Sequence, residues 1–270
     1  MTTLVDAVSR RARDAGRQII DSDYRHRRRE LARLSRLPRY SPSTTDLLGK
    51  SIELVDGHSF AAMYNEIFEQ NFYRFKCNNP RPFIIDGGAN IGLSVLYFKQ
   101  LFPESRIIAF EPDPQIFQVL RRNVCESGYD NVQLHSCALW SNSGSGSFVR
   151  EGSWGGRLSL SGESGHTSVP FVRLRDYLDS PVAMLKLDIE GAETEVLRDC
   201  AALLYKVSNL FVEYHSFFEV PQTLHILLGL LSEAGFRVQV KGGSGTPEPF
   251  VARNLESEME FQVCIWAYRE

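Results

Sequence analysis

The chain has 270 residues, 43% of them hydrophobic and 23% charged, with a formal net charge of -3. That composition is ordinary for a soluble globular protein with a sizeable core, and no apolar run approaches the ~20 residues a membrane helix needs. The opening MTTLVDAVSRRARDAGRQ lacks the features of a secretory leader. Five scattered cysteines (Cys77, Cys125, Cys137, Cys200, Cys264) contain no CxxC pair, which argues against a disulfide framework or a thiolate zinc site and favours a cytoplasmic setting.

Residues 1–40 carry eleven Arg against five Asp or Glu, so the rest of the chain is acidic. Residues 3–37 read as a helix ended by Pro38, with a thin apolar stripe at Ile19, Ile20, Leu31, Leu34 and Leu37. Its plain reading is a solvated or packing helix; the other is a surface for an acidic partner or for self-association. No aromatics interleave with its Arg residues, so nucleic acid is not expected. A loop with a short strand, SIELVDG, follows, and then a helix from Ser59, SFAAMYNEIFEQNFY, with that serine as its cap. The expected division is an Arg-rich extension, 1–58, and a main domain, 59–270.

From residue 80 strands and helices alternate. Strands are expected at Phe83–Asp86, Arg106–Phe110, Val132–His135, Ala183–Asp188, Leu210–Tyr214, Phe236–Val240 and Glu260–Ala267. Helices are expected at Ile91–Phe102, Pro114–Glu126, Ala192–Leu204 and Pro221–Ala234. The alternation implies a mostly parallel α/β sheet, and the last two strands, with no helix between them, pair antiparallel. Residues 141–166, rich in Ser and Gly with only brief strand-like runs, read as a long mobile loop.

Four stretches carry chemistry. FIIDGGANIGLS is a strand, a glycine turn and a helix start, the place where an open parallel sheet binds ligands. Ala89 stands where a dinucleotide site needs glycine, and Asp86 would repel a pyrophosphate. A carboxylate there suits the α-amine of S-adenosylmethionine instead. IIAFEPDP ends a strand on Glu111, placed to accept ribose hydroxyls; a helix-capping role is the alternative, although Asp113 stands nearer the helix start. MLKLDIEGAETEVL brings Lys186, Asp188 and Glu190 to a strand's carboxyl end, where they could hold the amine, bind substrate or ligate a metal. Magnesium is an option not favoured, and no metal ligand is assigned. Glu193 reads as a first-turn acid favoured by the helix dipole. LFVEYH places Glu213 and His215 on one side of a strand. His215 is the best general base, with His135 and His166 as weaker rivals.

Taken together, FIIDGGANIGLS, IIAFEPDP, VQLHSCALWSNSG, LKLDIEGAETEVL and LFVEYH resemble the FkbM family of S-adenosylmethionine-dependent methyltransferases, over about residues 60–240. The resemblance implies a class I methyltransferase fold, Rossmann-like, with seven strands and the last antiparallel. It implies that Asp86, Gly87, Gly88, Asn90 and Gly92, with help from Ser94, surround the methionine end of the cofactor. By the same resemblance Glu111 holds the ribose, Pro112, Ala138 and Leu139 border the adenine, Asp188 faces the amine or sulfonium, and Tyr73 closes over the cofactor. The expected acceptor is a small-molecule hydroxyl from a biosynthetic pathway, on a sugar, polyketide or other specialised metabolite. N-methylation and a non-catalytic cofactor-binding module are the alternatives. Asp188, Glu190 and His215 are the catalytic candidates, and Trp154, Arg157, Glu213 and His215 the substrate contacts. An acidic carrier protein and a homodimer stay open as partners; no membrane is expected.

Overall fold

The computed structural model describes residues 22–125, 127–150, 156–159, 167–218, 220–245, 248–251 and 259–269. They fall into two compact units, Met1–Asn65 and Glu66–Glu270.

In the first unit, α1 (Ser22–Leu34) realises the later part of the Arg-rich helix; residues 1–21 lie outside the described residues. Leu34 is buried, and Arg33 grips both Glu30 and the Thr44 carbonyl. A hairpin of β1 (Ser43–Thr45) and β2 (Ile52–Leu54) precedes α2 (Gly57–Tyr64). The cap of α2 is Asp56 rather than Ser59: its Oδ2 accepts the Ser59 N–H at 2.9 Å and the Ser59 hydroxyl at 2.6 Å. A carboxylate in extended backbone three residues before a free N–H outcompetes a serine inside the turn. A π-helical turn, Asn65–Glu69, follows.

The second unit is built on a seven-stranded sheet. Its strands are β3 (Phe83–Gly87), β4 (Arg106–Phe110), β5 (Val132–His135), β10 (Val182–Leu187), β11 (Val207–Phe217), β12 (Arg237–Gly245) and β13 (Met259–Tyr268). The order is β12-β13-β11-β10-β3-β4-β5, with β13 antiparallel to both its neighbours and the other pairings parallel. This is the expected mixed α/β arrangement, including the antiparallel final pair. β3 is buried along its whole length, as a strand covered on both faces must be. The helices are α3 (Leu93–Leu101), α4 (Pro114–Cys125), α5 (Glu193–Cys200) and α6 (Leu224–Glu233). In α3, every residue from Leu93 to Lys99 is buried. The Lys99 ammonium satisfies itself on three carbonyls, those of Ser105 (2.6 Å), Asp130 (2.7 Å) and Pro103 (3.2 Å). Asp113 caps α4, accepting the Gln115 N–H at 2.7 Å, which leaves Glu111 free of that duty.

The Ser/Gly-rich stretch is not a bare loop. β6 (Ala138–Trp140), β7 (Gly144–Arg150), β8 (Gly156–Ser159) and β9 (Thr167–Arg173) form a second sheet ordered β6-β9-β7-β8. The TSVPFVR segment at 167–173 supplies the strand that the small residues of β7 lack, and Gly144 leaves room for Phe171, whose ring would lie 2.9 Å from an added Cβ.

Candidate active site

Neighbouring strands end together and their loops are tied to one another. The N–H groups of Gly88 and Ala89 donate to the Phe110 carbonyl, that of Glu111 to His135 and that of Asp188 to Gly87. These bonds gather the glycine turn, Glu111 and the Asp188–Gly191 turn at the carboxyl edge of the sheet, where open α/β sheets hold ligands.

At the first strand, Asp86 is fully buried. Its Oδ2 accepts the Ser94 hydroxyl at 2.5 Å, while Oδ1 accepts no hydrogen bond among the described residues and lies 3.4 Å from the Lys186 ammonium. Lys186 also lies 3.3 Å from Asp188 and donates to the Gly88 carbonyl at 2.8 Å. Burial works against its charge, but the Asp188 and Asp86 carboxylates overcome that and hold its pKa above the ordinary range. Gly88 has φ +79°, and a Cβ there would sit 1.8 Å from the Asp188 carbonyl oxygen, so only glycine lets the two turns approach. Tyr73, edge-on to Phe211 at 4.9 Å, sets its ring 5.8 Å from the Lys186 nitrogen.

Glu111 accepts the Asn90 N–H on one oxygen (3.0 Å) and the Asp113 N–H on the other (2.9 Å). Burial pushes its carboxyl up to about 7, against those two bonds. Leu139 packs against Gly87, and Ala138 is buried beside it on β6. Gly92 starts α3 in a left-handed conformation.

The second half of the site lies on β10 and β11. One donor atom each from Asp188, Glu213 and His215 lie within 4.8 Å of one another. His215 is buried, with Nδ1 3.1 Å from Glu193 and Nε2 3.5 Å from Glu190. Burial alone would lower its pKa; the Glu190 and Glu193 carboxylates outweigh burial and hold the imidazole well above 6.5. Burial, reinforced by Asp188, pushes Glu213 up to about 9. Glu213 takes hydrogen bonds from Gln262 and Cys264 of β13.

The sequence-predicted residues therefore divide into three groups. Asp86, Gly88, Ser94, Tyr73 and Asp188 meet around Lys186, whereas Glu111 and Asn90 meet one strand over. Glu190, Glu213 and His215 form a second cluster continuous with Asp188. Arg157 lies on β8 opposite Val149, and Trp154 is outside the described residues. Pro112 follows Glu111 and is partly exposed. His135, one of the two rival histidines, stacks on Phe110 at 5.1 Å, and its buried Nε2 has no hydrogen-bond partner among the described residues; the other rival, His166, lies outside them. The sequence reading missed Gln262 and Cys264, which only the antiparallel register of β13 brings opposite His215 and Glu213. It also missed what Glu193 touches.

Residues 86–238 match the family described as Methyltransferase FkbM domain. The chain is 30% identical over 187 residues to "Methyltransferase 1" of Beauveria bassiana, covering 56% of this chain and 75% of that protein. It is 28% identical over 229 residues to "Methyltransferase sdnD" of Sordaria araneosa (70% and 86%) and 27% identical over 176 residues to "2-O-methyltransferase NoeI" of Sinorhizobium fredii (56% and 72%). Among solved structures, a methyltransferase FkbM from Methylobacillus flagellatus superposes with a TM-score of 0.48 at 18% identity, over 74% of this chain and 46% of that one.

Proposed function

The chain belongs to the methyltransferase FkbM family and is an S-adenosylmethionine-dependent methyltransferase, and from that premise we propose that it methylates a hydroxyl group of a small molecule made in a biosynthetic pathway. The site fits the cofactor. Gly88 lets the glycine turn and the Asp188 turn meet at the carboxyl edge of the sheet, and Asp86 Oδ1, which accepts no hydrogen bond among the described residues, has capacity left for an amine alongside Lys186. In this reading Glu111 takes the ribose hydroxyls, and Ala138 and Leu139 border the base. When bound, S-adenosylmethionine supplies a methyl group on a good leaving group, so the protein's task is placement and proton removal.

The observation that carries the hydroxyl reading is the His215 cluster beside Asp188. A hydroxyl must lose its proton as the new bond forms, and that needs a base at the cofactor's edge. In the free protein the Glu190 and Glu193 carboxylates that face His215 favour its charged form. The base is the neutral imidazole: once it has released its own proton to solvent, Nε2 accepts the hydroxyl's hydrogen bond and takes that proton as the new bond forms, so turnover should rise with pH. Glu213 and Asp188 bind the acceptor's remaining polar groups. The name of the Sinorhizobium relative, a 2-O-methyltransferase, agrees with an oxygen acceptor. N-methylation is the second reading, since the same carboxylates would attract an amine. A sugar, polyketide or related metabolite, free or on an acidic carrier protein, is the proposed acceptor class. The Arg-rich extension 1–58 is the proposed carrier-facing or self-associating part.

The test is a panel of hydroxylated and amine acceptors with labelled S-adenosylmethionine. Hydroxyl products are expected, and His215→Asn should lower turnover by about 10²–10⁴-fold with cofactor affinity kept. Products on amines alone would favour N-methylation, and full turnover in His215→Asn would remove His215 as the base. A chelator should leave turnover unchanged, because the Lys186 ammonium already stands between the Asp86 and Asp188 carboxylates. A loss restored by magnesium or manganese would instead give Asp188, Glu213 and His215 to a metal ion.

A further inference from the structure

The turn Asp188–Gly191 has an unusual build. Glu190 adopts φ +55°, a left-handed conformation that a non-glycine residue takes up at a cost, and Gly191 follows at φ +99°. A Cβ on Gly191 would lie 2.9 Å from the Phe217 ring. Around this turn the N–H groups of residues 189 and 191 converge on one carboxylate. Glu193, the first residue of α5 and fully buried, accepts the Ile189 N–H at 3.2 Å and the Gly191 N–H at 3.0 Å. The same Oε1 lies 3.1 Å from His215 Nδ1.

Two backbone N–H groups would be satisfied by a neutral side-chain oxygen. A fully buried carboxylate is expensive unless its charge is used, and the group positioned to use it is the imidazole. We propose that Glu193 is the positioning residue of the acceptor half of the site: it holds the turn that carries Asp188 and Glu190, and the ring of His215, in one arrangement. Glu193 accepts a hydrogen bond from Nδ1–H, so neutral His215 carries its hydrogen there and presents a bare Nε2 on the Glu190 side. That is the tautomer a base needs on the acceptor side, and a carboxylate behind the ring strengthens it, as in other carboxylate–histidine pairs. The charged groups facing the ring are Glu193 from α5, Glu190 and Asp188 from the turn, and Glu213 from its own strand; Gln262 lies opposite on β13.

The catalytic consequence rests on the hydroxyl reading above, but the test does not. Nitrogen-15 NMR of histidine-labelled wild-type protein, with His215 assigned by its loss in His215→Asn, reads tautomer and titration without any acceptor. The expected result is a neutral Nδ1–H tautomer with a midpoint above about 6.5, shifted down in Glu193→Gln. Glu193→Asp, which keeps the charge, should restore part of that shift. An Nε2–H tautomer in wild type, or a midpoint unmoved in Glu193→Gln, would overturn the proposal. If Glu193→Gln does not fold, the wild-type tautomer decides alone. Once an acceptor is known, the rising limb of kcat/KM against pH should move to lower pH in Glu193→Gln while cofactor affinity holds.

Discussion

At the scale of single residues, Glu111 is the buried carboxyl of the proposed cofactor site. Its carboxyl is buried and raised to about 7 from the ordinary 4.5. The neutral form is therefore favoured in the folded protein: the stabilisation is complete at pH below 4.5 and is lost as pH rises through about 7. Ribose hydroxyls donating to the carboxylate would favour the ionised form and expel that proton. Calorimetric titration with S-adenosylmethionine in two buffers of different ionisation enthalpy should show net proton release near about pH 6 and little at about pH 8.5. Affinity should weaken on the acid side. No proton linkage at either pH would contradict a ribose contact at Glu111.

At the scale of elements, the chain's own patterns say much about which parts form and less about what they touch. Phe83–Asp86 and Arg106–Phe110 were legible as strands because unbroken apolar runs end in turn residues, and the observed strands match within a residue. Residues 141–166 were not legible, because Ser and Gly carry no strand signal until β9 provides a partner. Asp86, Glu111, Asp188 and His215 announced themselves as polar residues at the ends of apolar strands. Glu193 did not, since a glutamate in a first helical turn is common and its three partners depend on the left-handed turn before it. Lys99 gave no signal either, since nothing in the sequence marks one lysine within the Ile91–Phe102 helix as buried. It is 1% exposed and serves three carbonyls at the far end of α3 from the glycine turn. Lys99→Met should cost about 2–3 kcal/mol in urea unfolding, as for other buried hydrogen bonds from a charged group. A loss under about 0.5 kcal/mol, the level of ordinary surface changes, would mean the carbonyls find other donors.

At the scale of the molecule, the seven-stranded sheet divides the work between its two sides of β10. In the proposed reading β3 and β4, with β6 of the second sheet, carry the cofactor half (Asp86, Glu111, Leu139), and β11 and β13 carry the acceptor half (Glu213, His215, Gln262). Lys186 and Asp188, on and just past the strand between them, belong to both. No helix among the described residues is long and apolar enough to cross a membrane. The account stands or falls on the cofactor half, because the acceptor chemistry is placed relative to it. The decisive measurement is a calorimetric titration of wild type and Glu111→Gln with S-adenosylmethionine, run beside NAD. Micromolar binding of S-adenosylmethionine, none of NAD, and a loss of about 10–100-fold in Glu111→Gln are expected for one charged hydrogen-bonding group removed. Binding of NAD instead, or S-adenosylmethionine affinity indifferent to Glu111, would contradict the placement of the site at the ends of β3 and β4.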